Sequence, residues 1–173
     1  IQMKKLAFFG GTGGLGQATI PHLRSCPMDN IDEVGSLAVD FTRENDIENY
    51  FFKNPDTDGV VIFSNYNHNS FLHKYDFPDG KLEEQINTNI LGVTKCISSA
   101  LKVMRANGYG RIILASSVTV DRNVMGTSVY AAAKAYYENL VKTIAVENAA
   151  KGITANCIQL GYMDGGLTYT LPE

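Results

Sequence analysis

Several features that mark other protein classes are missing from this sequence. No apolar run approaches the ~20 residues that a bilayer requires, and the short apolar run after Lys5 is no signal peptide. Lysine and arginine are scattered, and the net charge is −3, so there is no basic stripe of the kind that nucleic-acid binding needs. We therefore expect no membrane span, no nucleic-acid partner and a cytoplasmic location.

Cysteine and histidine are also scarce. The three cysteines, Cys26, Cys96 and Cys157, are an odd number and have no CxxC spacing. They indicate reduced thiols, with neither a disulfide framework nor a zinc site. The three histidines form no metal-ligand pattern, so we predict no metal site.

What the sequence does contain is a regular alternation of predicted strands and helices. Its 173 residues are 45% apolar, which suits a single domain over residues 1–173. The pattern predicts strands at 6–9, 36–40, 60–64, 111–115 and 154–160, and helices at 15–24, 44–52, 82–107 and 128–150. Such alternation is typical of an α/β fold in which helices cover both faces of a parallel sheet.

A glycine-rich turn joins the first strand to the first helix. In a dinucleotide-binding turn, Gly10 would permit the sharp bend, Gly14 would let the backbone approach the pyrophosphate, and Gly16 would let the helix pack on the strand. The amino end of the helix would direct its N–H groups at the anion. Glycine runs also form ordinary turns, so this motif alone does not decide the function.

A second group of residues is typical of acid–base chemistry. Tyr130 and Lys134 are four positions apart on a predicted helix and therefore share a face. Ser117 lies 13 residues before Tyr130, just past a buried strand. Asn89 lies inside the most regular helix, where a buried amide is costly without a partner.

In this order along the chain, the motifs resemble those of short-chain dehydrogenases/reductases of the classical type, similar in style to the ketoacyl reductases. The resemblance runs from Lys5 to about Asp164 and implies a Rossmann-type, doubly wound, three-layer αβα fold that binds NAD or NADP. The catalytic residues that it implies are Asn89, Ser117, Tyr130 and Lys134. The cofactor-binding residues that it implies are Gly10, Thr12, Gly13, Gly14, Leu15, Gly16, Asp40, Phe41, Asn65, Tyr130, Lys134, Gly161 and Met163.

The resemblance also implies a mechanism and an assembly. Tyr130 would exchange a proton with a carbonyl or alcohol substrate as a hydride moves to or from the nicotinamide. Ser117 would bind the same substrate oxygen. Lys134, together with the positive nicotinamide of the oxidised cofactor, would lower the pKa of Tyr130. Lys134 would also hold the ribose hydroxyls, and Asn89 would hold a water of a proton relay. Family members pair their two long helices, so we expect a homodimer or homotetramer; the apolar residues Val103, Tyr137 and Val141 lie outside one stripe.

Some positions depart from the family pattern. Phe9 replaces a threonine, Leu160 replaces a proline, and the loop Asn-Asn-Ala-Gly is Ser-Asn-Tyr-Asn at 64–67. The span from Gly16 to Asp40 is too short for a full second strand and third helix. We therefore expect the second-strand region and the C-terminal part to be missing or reduced, with a discontinuity between residues 27 and 34 and an unnatural end after residue 173.

Two other functions stay open at this point. One is an epimerase or dehydratase of the extended branch, which the 13-residue spacing from Ser117 to Tyr130 disfavours. The other is a nucleotide-binding regulator or scaffold without turnover, which the altered loop at 64–67 favours weakly and the complete set of four residues opposes. The choice between NAD and NADP is also open, although Asp32 and Glu33 lie near the usual position of a ribose-binding acid.

Overall fold

The computed structural model describes residues 5–26 and 30–163. Within them, five strands form one parallel sheet in the order β2-β1-β3-β4-β5. The strands are β1 (Leu6–Phe9), β2 (Ile31–Val34), β3 (Gly59–Ile62), β4 (Gly110–Ser117) and β5 (Ile153–Leu160). The predicted α/β class and the parallel sheet are confirmed.

Helices connect the strands. They are α1 (Gly14–Arg24), α2 (Glu44–Lys53), α3 (Lys81–Ile86), α4 (Val93–Asn107) and α5 (Ser128–Asn148). A π-helical turn over Asn87–Gly92 joins α3 to α4, so the long helix predicted over 82–107 is continuous, with a π-helical turn in its amino-terminal half. No helix in the two described ranges is long and apolar enough to cross a membrane.

The prediction for the second strand is wrong. Residues 36–40 form a turn that begins at Gly35, whose carbonyl accepts hydrogen bonds from Ala38 and Val39. The strand lies earlier, at Ile31–Val34, and pairs with β1 in the register Leu6↔Ile31 to Phe9↔Val34. The second-strand region is thus reduced to four residues at the sheet edge. The discontinuity expected after residue 27 and the end at residue 173 involve residues outside the described ranges.

The two faces of β1 serve two separate apolar cores. Leu6 and Phe8 pack with Ile20 of α1, whereas Ala7 and Phe9 belong to the larger core formed with α2, α4 and α5. Alternate residues of a strand face opposite sides of the sheet, which explains the division. The Phe9 ring lies 5.5 Å from the Phe41 ring, so the residue in the family's threonine position is a core anchor.

The long helices use more of their apolar residues for the core than we expected. Tyr137 is fully buried and Val141 is 5% exposed, and both side chains project from α5 into the larger core. Val103 packs against the same core. These side chains therefore cover the sheet, and they give no support to a contact between subunits.

Candidate active site

The carboxyl ends of β1, β3 and β4 lie side by side and bring the predicted residues to one edge of the sheet. The pairing Phe9↔Ile62↔Leu114 sets the three strand ends at one level. Ser117 follows Leu114 by three residues, and Asn65 follows Ile62 by three residues. The loop after β3 therefore leaves the sheet between the glycine turn and Ser117, at the edge where open α/β sheets bind ligands.

The glycine turn is tightly packed at two positions and open at a third. Gly10 has a φ of +89°, and a Cβ atom there would lie 2.6 Å from the Ser64 nitrogen. A Cβ atom at Gly16 would lie 2.3 Å from the carbonyl oxygen of Gly10. At Gly14, the first residue of α1, a Cβ atom would meet no atom within 4 Å. The turn thus leaves a space at the amino end of α1, where backbone N–H groups favour an anion.

Ser117, Tyr130 and Lys134 come together at the end of β4. The Ser117 side chain lies near enough to the Tyr130 hydroxyl to lower its pKa by hydrogen bonding. Lys134 is 4% exposed; its Nζ donates a 2.9 Å hydrogen bond to the carbonyl oxygen of Ala115 and lies 5.4 Å from the centre of the Tyr130 ring. The predicted spacing of four residues on α5 therefore places the Lys134 amine below the ring of Tyr130.

Thr119 is a residue of this site that sequence reasoning missed. Its backbone N–H and its hydroxyl both donate to Ser117 Oγ, at 3.2 and 3.0 Å. Because Oγ accepts these two bonds, the Ser117 proton is left to donate to Tyr130 or to a ligand oxygen. The sequence does contain a signal for this residue: Thr119 lies two positions after Ser117, the spacing at which a serine hydroxyl bonds the backbone in an ST-turn.

Burial moves the two titrating groups in opposite senses. It raises the pKa of the Tyr130 hydroxyl, against the smaller lowering effect of the Ser117 hydrogen bond. Burial also lowers the pKa of Lys134 to about 7. In the protein alone, the ammonium of Lys134 does not lower the Tyr130 pKa, because removal from water disfavours the charged form of both groups. The further lowering expected from the oxidised nicotinamide stays a prediction. Tyr130 is neutral here and can donate a proton.

Asn89 holds the loop that follows β3. It is fully buried in the π-helical turn; its Oδ1 accepts from the Tyr66 backbone N–H at 2.9 Å, and its Nδ2 donates to the Tyr66 carbonyl at 2.7 Å. The amide that the sequence marked as costly thus has two backbone partners. Its predicted role in a water relay stays a prediction.

The side chain of Asn65 is different, because neither its Oδ1 nor its Nδ2 has a protein partner although both atoms are buried. Asn65 directly follows Ser64, the residue against which Gly10 packs. An unpaired buried amide is costly, and its position beside the glycine turn suits a residue that binds a ligand there.

Four further residues predicted to bind the cofactor lie after α1, in the turn before α2 and after β5. Asp40 accepts hydrogen bonds from the Thr42 backbone and hydroxyl, at 2.9 and 2.7 Å, and these bonds lower its pKa. Phe41 is 5% exposed in the core. Gly161 and Met163 follow the end of β5. Asp40 and Phe41 therefore have local structural roles, and Phe41 packs on Phe9, the residue before the glycine turn; their predicted contacts with the cofactor stay predictions.

Neither candidate acid for the ribose is unpaired. Asp32 accepts a 2.6 Å hydrogen bond from the Tyr50 hydroxyl, and Glu33 forms an ion pair with Arg24. Both acids lie within β2, whereas the usual ribose-binding acid is at the end of the strand. They therefore do not decide between NAD and NADP.

A further polar network joins β4, α5 and β5 beside the site. Ser116 Oγ donates to Glu138 Oε1 at 2.5 Å, and Gln159 Nε2 donates to Glu138 Oε1 at 3.0 Å and to Asp121 Oδ2 at 2.9 Å. Glu138 is four residues after Lys134, so the same helical face carries both groups. Within residues 5–26 and 30–163, no group of three or more acids, histidines and cysteines could hold a metal ion.

Comparison with known proteins finds similarity to short-chain dehydrogenases and reductases. A family model described as short chain dehydrogenase matches residues 17–173. An acetoacetyl-CoA reductase of Rhizobium meliloti is 41% identical over 90 residues, which are 52% of this chain and 37% of that protein. The 3-oxoacyl-[acyl-carrier-protein] reductase MabA of Mycobacterium tuberculosis is 33% identical over 93 residues, 54% of this chain and 38% of that protein.

A solved structure titled short chain dehydrogenase/reductase family protein has the same fold. It aligns with a TM-score of 0.81 at 22% identity, over 91% of this chain and 74% of that one. The matches to the acetoacetyl-CoA reductase and to MabA cover little more than a third of each of those two proteins.

Proposed function

The chain belongs to the short chain dehydrogenase family, and from this premise we propose that residues 1–173 are one catalytic domain that transfers a hydride between NAD or NADP and a carbonyl or alcohol substrate. The observation that carries the proposal is the contact of Ser117, Tyr130 and Lys134 at the ligand edge of the sheet. The small-molecule reductases among its relatives support the same reaction class.

The residues at the sheet edge fit a dinucleotide. The open space at Gly14 and the N–H groups at the amino end of α1 would take the pyrophosphate. The unpaired amide of Asn65 and the amine of Lys134 would bind ribose hydroxyls. When bound, the nicotinamide supplies or accepts the hydride.

Tyr130 and Ser117 would manage the proton and the developing charge. In reduction, the neutral Tyr130 hydroxyl donates its proton to the carbonyl oxygen, and Ser117 donates a hydrogen bond to the same oxygen. Thr119 fixes the direction of the Ser117 proton through its two bonds to Oγ. Lys134, with a pKa of about 7, can return a proton to Tyr130 near neutral pH. In oxidation the same groups act in reverse.

The test is oxidation of NADH and of NADPH with a panel of ketones, together with the dissociation constant of each cofactor. Turnover that requires the ketone supports the reductase. Cofactor binding without turnover of any ketone would instead support the regulator, and turnover of a nucleotide sugar without net change in the cofactor would support the epimerase.

Replacement of two glycines separates the packing of the turn from its proposed use. Gly16→Ala should lower the free energy of unfolding by about 1–3 kcal/mol or more, because the new methyl group would clash with the carbonyl oxygens of Gly10 and Gly11. Gly14→Ala should leave stability unchanged, since nothing lies within 4 Å. It should nevertheless weaken cofactor binding about tenfold or more, since the methyl group fills the space proposed for the phosphates. Thermal denaturation and cofactor titration measure both; full cofactor affinity in Gly14→Ala would contradict the phosphate site.

We also propose that the protein is a homodimer or homotetramer, paired through the outer faces of α4 and α5. A shallow groove there is lined by apolar and charged residues, including Ile97, Leu101 and Leu140. Light scattering at micromolar concentration should give the mass of two or four subunits for the wild type and the mass of a single subunit for Leu101→Arg. A monomeric wild-type protein would refute the assembly.

A further inference from the structure

The loop between β3 and α3 holds an unusual number of buried polar atoms without a protein partner. Among the described residues there are seven such side-chain atoms, and four of them belong to Asn65, Asn67 and Asn69. Both amide atoms of Asn65 are unpaired, as is Oδ1 of Asn67 and of Asn69. Buried polar atoms normally have partners, so a group of four such atoms without them indicates a site that a ligand completes.

The loop is held in place by contacts on its backbone. Asn89 binds both the N–H and the carbonyl of Tyr66. The Tyr75 hydroxyl donates to the His68 carbonyl at 2.9 Å, and its ring packs edge-on against the His68 ring at 5.4 Å. Asn67 lies between these two fixed points and Asn69 directly follows the second. The unpaired amides therefore belong to a positioned segment, and preorganised polar groups bind ligands at low entropic cost.

The position of the loop connects it to the proposed reaction. It leaves β3 between the glycine turn and Ser117, as the strand pairing requires. Asn65, nearest the glycine turn, suits the cofactor, whereas Asn67 and Asn69 extend beyond it along the loop. The loop also differs here from the Asn-Asn-Ala-Gly pattern, so these two amides are a property of this chain.

We propose that Asn67 and Asn69 bind hydroxyl groups of a polyhydroxylated ketone, which would be the substrate of the proposed oxidoreductase. This inference rests on the proposed function. The unpaired atoms at both positions are carbonyl oxygens, which accept hydrogen bonds and so favour a donor such as a hydroxyl over a carboxylate or a phosphate. The loop from 63 to 71 contains no aspartate or glutamate; of the acids beside it, Glu84 acts on the Tyr66 hydroxyl and Asp79 is paired with Lys81, so neither is a free countercharge for a cationic ligand.

Two ketones that differ only in hydroxyl groups test the proposal. Cyclohexanone and 2,3,4,5,6-pentahydroxycyclohexanone share a ring and a carbonyl. Calorimetric titration of the protein, with and without oxidised cofactor, should show at least about 100-fold tighter binding of the hydroxylated ring, since several hydrogen bonds separate the two. Equal affinities, including no binding of either ketone, would overturn the proposal.

Leucine variants assign the effect to the loop. Asn67→Leu and Asn69→Leu should each weaken binding of the hydroxylated ring about tenfold and leave binding of cyclohexanone and of the cofactor unchanged. Their melting temperatures without ligand should equal or exceed that of the wild type, because a buried amide without a partner is lost. Asn49→Leu, at an exposed position on α2, is the control and should leave binding unchanged.

The remaining outcomes separate this proposal from the proposed function. Loss of cofactor affinity in Asn67→Leu or Asn69→Leu would assign these amides to the cofactor and overturn the substrate role. A lowered melting temperature in these variants would make the amides structural and also overturn it. If the hydroxylated ring binds through the loop but neither NADH nor NADPH transfers hydride to it or to any other ketone, the loop's recognition of hydroxyls stands and the oxidoreductase function fails.

Discussion

Tyr130→Phe should lower turnover by 10²- to 10⁴-fold while the dissociation constant of the cofactor changes by no more than about threefold. The substitution removes the proton donor and keeps the ring above Lys134. General acid–base groups typically contribute a factor of this size. Steady-state rates of ketone reduction and a fluorescence titration with NADH and NADPH give the two quantities.

Tyr136→Phe is a matched control for this variant. Its hydroxyl lies 2.7 Å from Thr94 Oγ1, in the contact between α4 and α5, and is not part of the proposed chemistry. We expect it to lower the free energy of unfolding by about 1 kcal/mol and to retain its turnover. If Tyr130→Phe retains more than about a tenth of the wild-type rate, Tyr130 is not the acid.

Lys134→Met should abolish most of the activity and at the same time stabilise the protein. The amine is proposed both to return a proton to Tyr130 and to hold the cofactor ribose, so both the rate and the cofactor affinity should fall by at least about tenfold. Removal of a buried amine that has one hydrogen bond, to Ala115, should raise the melting temperature at neutral pH.

The stability gain should depend on pH in a defined direction. The pKa of Lys134 is about 7 in the folded protein and near 10.4 in the unfolded chain. Between these values the unfolded chain binds the proton that the folded protein has released, so the stability of the wild type rises with pH. The advantage of Lys134→Met should therefore be constant below about pH 7 and shrink above it, by up to about 1.4 kcal/mol per pH unit.

Denaturant titrations between pH 6 and pH 9 measure this dependence. Lys142→Met, at an exposed position of the same helix, provides the control and should show no such change. An advantage of Lys134→Met that is the same at pH 6 and pH 9 would mean that Lys134 is not a buried amine with a lowered pKa.

The elements that the sequence predicted well are those with long, regular apolar patterns. Four predicted strands and the long helix agree with the structure to within a few residues, because buried strands and helix stripes leave a direct pattern; the π-helical turn over Asn87–Gly92 was not predicted. The four-residue β2 was missed because it carries Asp32 and Glu33 at the sheet edge. Of the apolar residues at 36–40, only Val39 reaches the core, from a turn, while Leu37 is fully exposed; the short apolar run resembles a strand in sequence.

The sequence predicted which residues form the candidate site, but it did not predict how burial shifts their pKa values. Ser117, Tyr130 and Lys134 could be grouped because parallel strands end at one edge and helical residues four apart share a face. The direction of the Tyr130 pKa could not be predicted, since it depends on how far burial outweighs the nearby amine. The unpaired amides of the loop after β3 were also invisible, because an asparagine-rich segment has the composition of an exposed loop.

Transfer of deuterium is the most direct test of the central claim that this sheet edge performs hydride transfer with Tyr130 as the acid. The protein would be incubated with NADH and with NADPH that carry two deuterium atoms at C4 of the nicotinamide, and with each ketone. The alcohol would be analysed by mass spectrometry. We predict one deuterium on the carbinol carbon with the wild type and at least a hundredfold less labelled alcohol with Tyr130→Phe. A protein that binds the cofactor and forms no labelled alcohol, or a Tyr130→Phe variant that forms as much as the wild type, would contradict the account.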